Sequence, residues 1–526
     1  MQRPIEWEFS ATLERLETSA TGMLPEIKGI RMVVAAAHDR GSVKFAGGKA
    51  SIHAKSLFRQ PILLQQLAGE LRWQKQANGE WLLASDNLIA TSEDISTMTS
   101  FRYMLPPQGK GYLDIVTDFN KGRVEHASRY YPAFRMKPVV VEWLDRSLLG
   151  GYIPSGRFRI QGPLASFPFE DNDDGFFEAI FNVTNAEIDY KEGWPPLRNT
   201  DALVRFHGNR LTIEAAKGKI YDNRIGHVTM AMQLKPLTPL HIRGDLSGPL
   251  DGPVRLLTES PLKEKFAPLM EALEVRGDGG LSVDMLVPIS RKLKHRGSFS
   301  GDLELRNAEV TAKRVAVALQ DVNGVLHITD SGASAEQLRA TLLGSPLTMA
   351  ITPKPGGATQ ITAEIDLADA SLQQVIADAP VSGRAVWNVN LEVPSLAEMR
   401  RGGLVVNSSS DLKGMEIDLP LTLGKTRQQS RKLELQWRHS NSGAPSFKLD
   451  YGDMKLNMQH RQGGWNGEIS SGALAGRLTI PDARGELVRA DLERLDLAFS
   501  LDSQAARSDS GGKRRSPHHL RPFHLT

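Results

Sequence analysis

The chain of 526 residues contains no cysteine. Disulfides, thiol nucleophiles and thiolate metal sites are therefore excluded. No run approaches the roughly 18 apolar residues that a membrane-spanning helix needs; the closest, Met32 to Ala37, is the size of a short strand. The opening residues, Met1 to Glu8, have no basic segment followed by an apolar core, so they do not read as a signal peptide. A dominant charge is missing too. The 64 Lys and Arg face 61 Asp and Glu, and a net charge of +3 gives no bulk attraction for nucleic acid. Only the tail from Arg507 to Arg521 is rich in arginine.

Catalytic and metal signatures are equally scarce. There is no Gly-x-Ser-x-Gly elbow and no P-loop lysine motif. His38, His53, His126, His207, His227, His241, His295 and His327 never adopt the paired spacing of a zinc site and read as polar-face or turn residues. His518 and His519 lie in the tail. The acidic turn Glu170-Asp171-Asn172-Asp173-Asp174-Gly175 resembles half of a calcium loop. A bidentate Glu is needed at the twelfth position, and that position falls on Phe181 or Asn182. The expectation is a solvated turn, with no metal, no cofactor and no catalytic residue.

What the chain does have is alternation. Val228, Met230, Met232 and Leu234 are separated by Thr229, Ala231 and Gln233. Apolar positions at period two give a strand one greasy and one wetter face. Leu281, Val283, Met285 and Val287 repeat the pattern, as do Phe299, Gly301, Leu303 and Leu305. So do Ile361, Ala363, Ile365 and Leu367, and Ala385, Trp387, Val389, Leu391 and Val393. Turn clusters interrupt the strands at Asp39-Arg40-Gly41-Ser42, Gly47-Gly48, Asn78-Gly79, Gly208-Asn209, Gly279-Gly280, Asn323-Gly324, Gly356-Gly357 and Gly463-Gly464. Asn78-Gly79, between Leu71 and Trp73 on one side and Trp81 and Leu83 on the other, is the clearest hairpin. Trp73, Trp81, Trp387, Trp437 and Trp465 read as core or groove lining more readily than as platforms for sugars or bases, several of them being in phase with apolar neighbours.

Two helices are expected. Pro138 to Leu149 has Val140, Trp143, Leu144 and Leu148 on one face and Gly150-Gly151 as its stop. Ser260 to Leu273 has Ser260 as N-cap, Pro261 in the first position and an apolar stripe of Leu262, Phe266, Leu269, Met270 and Leu273. Pro268 argues for a kink or a shorter helix. A third helical turn is expected at Ala127 to Tyr131. An internal repeat is visible: Asn185-Ala186-Glu187-Ile188 is echoed by Asn307-Ala308-Glu309-Val310, an offset of 122 residues (307 − 185). Downstream, Phe206 to Ile213 is matched, offset by a few residues, with Val322 to Ile328, and a related unit spans Leu67 to Leu83. Repeats of this kind build sheets that grow by adding neighbours. The organisation expected is 1–125, an N-terminal β repeat segment; 126–290, a central β segment with two short helices; 291–501, a C-terminal β repeat segment; and 502–526, a disordered basic tail.

A sheet with one apolar face has two outcomes. It closes on a second sheet around a dry core, as in an elongated scaffold or adhesin-like rod, or it curls into a trough that covers something apolar. A carbohydrate-active β-protein, which needs two carboxylates across a cleft, is a further alternative.

Several motifs carry a resemblance. They are Ser128-Arg129-Tyr130-Tyr131-Pro132-Ala133-Phe134, Val141-Glu142-Trp143-Leu144-Asp145, Gly156 to Leu164, Gly193-Trp194-Pro195-Pro196-Leu197, Phe206 to Ala215, Gly248-Pro249-Leu250 and Glu259-Ser260-Pro261-Leu262. In this order and spacing they resemble the YhdP family of AsmA-like envelope proteins, with weaker similarity up to about Leu501. The resemblance implies a mostly β fold, a long twisted antiparallel sheet curled into an open trough with a few short helices. It implies non-enzymatic carriage of phospholipid between the inner and outer membranes, in the periplasm, by a protein anchored through an N-terminal helix. This chain then reads as an internal piece without that anchor and without the family's C-terminal half. On this reading Phe181, Val183, Val204, Phe206, Leu211, Ile213, Val228, Met230, Met232, Leu281, Val283, Met285, Trp387, Val389 and Leu391 face the apolar side and line the lipid groove.

Overall fold

The computed structural model describes residues 7–495, except 21–24, 170–173, 236–237, 289–296, 314–316, 377–378, 396–397, 399–402, 420–422, 440–442, 462 and 483–487, together with the pair 524–525. The chain divides into two units. The first holds 1–248, 259–261 and 281–299, and the second holds 249–258, 262–280 and 300–526.

In the first unit, strands follow one another as an antiparallel meander. Phe176–Ile188 pairs with Leu148–Pro163 on one side and Leu197–His207 on the other; Arg210–Ile220, Asn223–Gln233 and Leu240–Pro249 continue the ladder. The second unit repeats the arrangement from Ser298–Ala312 through Val317–Thr329, Gly332–Leu342, Ser345–Pro353 and Thr359–Ala368 to Val381–Val393, and onward to Arg489–Leu495. Sequential pairing follows from the alternating sequence and the short turns between strands. The chain is mostly β with few helices, as the alternation implies. The Asn78-Gly79 hairpin forms, with Lys75 opposite Trp81.

Each ladder is creased. In the first unit the register slips between Val183 and Ala186 and again between Arg198 and Asp201, where Asn185 and Asn199 hold left-handed backbone at φ 51° and 49°. In the second unit the slips fall between Leu305 and Ala308 and between Gln320 and Asn323, with Asn307 and Asp321 at φ 47° and 50°. Bulges bend a strand and deepen its twist, and Asn and Asp tolerate the left-handed region best among residues with a side chain. The pairs Val183–Ala202, Ala186–Thr200 and Ile188–Leu197 recur as Leu305–Gly324, Ala308–Val322 and Val310–Leu319, each residue displaced by the same 122 positions. The bulge is clasped alike in both: the Asn185 N–H donates to Asp201 Oδ1 at 2.9 Å, and the Asn307 N–H donates to Asn323 Oδ1 at 3.0 Å. Glycine closes the crease. Gly151 has φ +133°, and a Cβ there would lie 2.9 Å from Ala186 Cα; Gly277 has φ +114°, and a Cβ there would lie 2.8 Å from Ala308 Cα.

One prediction arises here. Asp201→Ala and Asn323→Ala each remove one bulge acceptor and should cost about 1 kcal/mol locally. Exchange of the Asn185 and Asn307 amides should accelerate roughly fivefold, with the larger effect at Asp201, whose carboxylate gives a charge-assisted bond. Unchanged exchange at both amides would remove the clasp from the account of the crease.

The structure corrects several expectations. The downstream match of Phe206 to Ile213 with Val322 to Ile328 is displaced: the register places Thr200, not a residue after Phe206, at the equivalent of Val322. Asn323-Gly324 lies inside strand Val317–Thr329 beside its bulge, and Gly279-Gly280 lies inside strand Leu273–Val287, so neither is a hairpin. Helix α1 spans Pro138–Ser147, with Pro138 at its start as expected, but Val140 and Trp143 are exposed, and Gly150 and Gly151 belong to the next strand. The second expected helix is two. Helix α2 is Asp251–Glu259 and α3 is Lys263–Ala272; Ser260 is buried between them, the N-cap is Leu262, and Pro268 sits within α3. A short helix, α4, at Asp369–Val375 was not foreseen. The turn expected at Ala127 to Tyr131 is a 3₁₀ helix at Val124–Arg129. The acidic turn at Glu170 to Asp173 and the tail fall outside the described residues, apart from His524–Leu525, which bridges Arg489–Leu495 in parallel.

Candidate functional site

Cross-strand register decides which side chains share a face. In the first unit three neighbouring rows run across the ladder. One is Ala179, Phe206, Leu211 and Met232; the next is Phe181, Val204, Ile213, Met230 and Ile242; the third is Val183, Ala202, Ala215 and Val228. Nine residues expected on the apolar side therefore lie together on one face. In the second unit Trp387, Val389 and Leu391 each belong to such a row: Ala340, Leu347, Ile365 and Trp387; Leu338, Met349, Ala363 and Val389; Ala335, Ile351, Ile361 and Leu391. Leu281, Val283 and Met285 share one side of strand Leu273–Val287 and are half-buried. Between them, Ser282 and Asp284 point the other way: Ser282 Oγ donates to Asp245 Oδ1 at 2.6 Å, and Asp284 takes His241 Nε2 at 2.6 Å and Arg243 Nε at 2.7 Å. Those two partners hold the Asp284 carboxyl below the usual range.

Burial along the rows is uneven. Val183, Ala186, Ala215 and Val228 at the crease are buried. Phe181, Val204, Phe206, Leu211, Ile213, Met230 and Met232 are only half-buried, as are Trp387, Val389 and Leu391. Residues that filled a dry core would be covered on all sides. In the first unit the rows away from the crease keep apolar surface uncovered by the described residues; in the second, Ala335, Leu338, Ala340, Leu347, Met349 and Ile365 are buried together, and the half-covered surface lies at Trp387, Val389 and Leu391.

Polar chemistry concentrates elsewhere, at the corner formed by Val124–Arg129 and α1. Asp94, 1% exposed, accepts from His126 Nδ1 at 2.6 Å, Arg129 Nη1 at 2.6 Å and the Tyr130 hydroxyl at 3.1 Å. Burial pushes its carboxyl up, but the hydrogen bonds from His126, Tyr130 and Arg129 outweigh it and hold the group below the ordinary range. Nearby, Arg59 grips both oxygens of Asp145, at 2.7 and 2.8 Å, and donates to the Tyr131 hydroxyl at 2.9 Å; Tyr131 also donates to Asp145. Burial, then the Asp145 bond, pushes the Tyr131 phenol up to about 12. These are clasps with their partners in place, not a poised acid and base. Arg59 and Asp94 carried no sequence signal, because their partners are 86 and 35 residues away. Among the described residues no three His, Asp or Glu are grouped to hold a metal ion, and no helix is long and apolar enough to cross a membrane.

The chain is 21% identical over 432 residues to the intermembrane phospholipid transporter YhdP of Escherichia coli (strain K12), an alignment covering 81% of this chain and 34% of that protein. The chain thus spans about a third of the length of that relative. The model of the YhdP protein family matches residues 1–453. With more than four-fifths of its length matched, the chain belongs to the YhdP family.

Proposed function

We propose that the apolar face is a lipid-conducting surface, and that the chain handles phospholipid without catalysis as a section of a periplasmic bridge between the inner and outer membranes. The observation that carries this reading is the set of contiguous, half-covered apolar rows of the first unit, with Trp387, Val389 and Leu391 half-covered in the second. The eight residues from Phe176 to Val183, ahead of the crease, extend roughly 26 Å. An acyl chain, half of a roughly 30 Å hydrocarbon core, is about 15 Å long and fits within that arm. Each methylene kept from water is worth about 0.8 kcal/mol, so a continuous greasy lining carries a tail without specific contacts. Met230, Met232 and Met285 suit a surface that must adapt to chains of varied shape. The creases, repeated at the same 122-residue spacing, supply the curvature that turns a flat sheet toward a trough.

Photo-crosslinking tests this. A benzoylphenylalanine placed at Met230 or Val389 should capture phospholipid from vesicles, identified by mass spectrometry of the adduct. The same probe at Thr229 or Asn388, one residue along each strand and on the opposite face, should capture at least about tenfold less. Equal capture from both faces, or from the outer positions alone, would refute the trough. A closed, dry core gives no lipid adduct anywhere.

A further inference from the structure

The apolar face of the second unit carries an aromatic corner. Strand Leu433–His439 places Leu435, Trp437 and His439 on one side; strand Ser446–Tyr451 places Phe447 and Leu449 there; strand Met454–Arg461 adds Leu456, Met458 and His460; strand Gly464–Ser470 adds Trp465 and Ile469. Register sets Trp437 opposite Phe447, Phe447 opposite Met458, and His460 opposite Trp465. His439 stacks on Trp437 with ring centroids 5.6 Å apart and planes 7° apart. Trp465 meets Phe447 at 5.1 Å and His460 at 5.2 Å. None of these five rings is fully buried. The exposed Asp482 closes the corner, both of its carboxylate oxygens 3.0 Å from His460 Nε2. The permanent cations of these strands, Arg438, Lys448, Lys455 and Arg461, alternate onto the opposite face. The corner therefore offers π faces and a carboxylate, with no lysine or arginine of these four strands on its own side.

Electron-rich ring faces beside a carboxylate attract an ammonium group, and the carboxylate repels a phosphate. We propose that this corner seats the ammonium of a phospholipid headgroup while the chains lie along the rows behind it, over the half-buried Leu435, Leu449 and Leu456. The inference rests on the lipid-conducting reading above and adds a headgroup class to it. Trp437, His439 and Phe447 lie within the residues matched by the family model, while His460, Trp465 and Asp482 lie beyond residue 453, where that match ends.

The full chain is loaded from vesicles holding equal amounts of phosphatidylethanolamine and phosphatidylglycerol, repurified, and its lipid counted by mass spectrometry. Ethanolamine lipid should be enriched about fivefold over the input ratio, the size of a modest cation–π and carboxylate contribution. Trp465→Leu and the conservative, surface-sited Asp482→Asn should each return the ratio toward the input while total lipid stays the same. Glycerophosphoethanolamine, the same headgroup without chains, should compete poorly; competition at equal concentration would assign the corner to free headgroups and overturn the proposal. Normal loading with an input-like ratio, or a preference that both variants leave intact, would also overturn it and leave the lipid-conducting reading standing. A chain that takes up no lipid at all would remove both.

Discussion

Met230→Asp is expected to lower phospholipid capture by about tenfold or more while strand content is retained. Met230 sits mid-row, opposite Ile213 on one strand and Ile242 on the other. It is half-buried, so in an empty trough a carboxylate there keeps much of its water. The fold then loses only the packing of one apolar side chain, about 1–3 kcal/mol. A lipid tail sliding over that position must strip the remaining water or leave methylenes against a charge. Taking a polar group out of water with no compensating bond costs roughly 2 kcal/mol or more, and a charge more still. Each 1.4 kcal/mol is a factor of ten in binding. The same substitution behaves differently in a closed core. There the carboxylate is isolated from water in the protein itself, and the cost exceeds the few kcal/mol by which a domain is stable. Folded and lipid-poor is thus the result of an open trough, and unfolded is the result of a sealed one. Val389→Asp repeats the experiment in the second unit, where Val389 lies between Ala363 and Ser408. A variant that stays folded and loads lipid normally would take Met230 off the lipid path.

The rows were legible because they depend on a local rule. Period two puts Phe181 and Val183, or Met230 and Met232, on one side of a strand whatever the strand pairs with. Short turns then align neighbours, so the expected residues converged without any knowledge of the fold. The crease was only half legible. Asn185-Ala186 and Asn307-Ala308 stand out as a repeated string, but the string alone does not say that the Asn is in the left-handed region or that the facing residue must be glycine because Gly151 and Gly277 pack against the Ala backbone. Beyond the bulge, the downstream match failed for the same reason: Asn323-Gly324 has the composition of a hairpin and sits instead next to a register slip, where a ladder needs the same backbone freedom. At Ser260, a good N-cap residue is buried in the link between α2 and α3, and the N-cap is Leu262 instead.

The polar corner was illegible in a different way. Arg129, Tyr130, Tyr131 and Asp145 were noticed as motif residues, but their function as anchors needs partners from distant turns. Asp94 lies in the connection between strands Trp81–Ser92 and Ser96–Leu105, and Arg59 lies just before strand Ile62–Lys75. A single acidic or basic residue in a turn reads as a solvated charge. Only the fold shows that Asp94 is sealed from water with three donors aimed at it. The aromatic corner shares this property, since Trp437, Phe447 and Trp465 meet only after four strands have paired.

Asp94→Ala is expected to cost about 3 kcal/mol in the local stability of the corner. Breaking a buried ionic contact leaves its partners with unmet desolvation, and such losses run to 3–5 kcal/mol. The lower end applies because Arg129 is partly exposed, with 43% of its side chain accessible, and regains water when released. The loss should appear as exchange on the order of a hundredfold faster at the Tyr130 and Tyr131 amides, which donate to the Ala127 carbonyl. Local exchange is the correct readout, because a chain of two units has no single unfolding free energy. Asp94→Asn keeps a hydrogen-bonding side chain but removes the charge and should fall between the two. The pH dependence has a definite sign. The carboxyl is held below its ordinary value of 3.8 in the folded chain, so its contribution is complete above that value and is lost as pH falls through the lower, folded one. The difference between wild type and Asp94→Ala should therefore be constant at neutral pH and shrink in strong acid, below about pH 4. If the two proteins exchange alike at neutral pH, the three hydrogen bonds at Asp94 hold nothing in place, and the motif Ser128 to Phe134 keeps its position by packing alone.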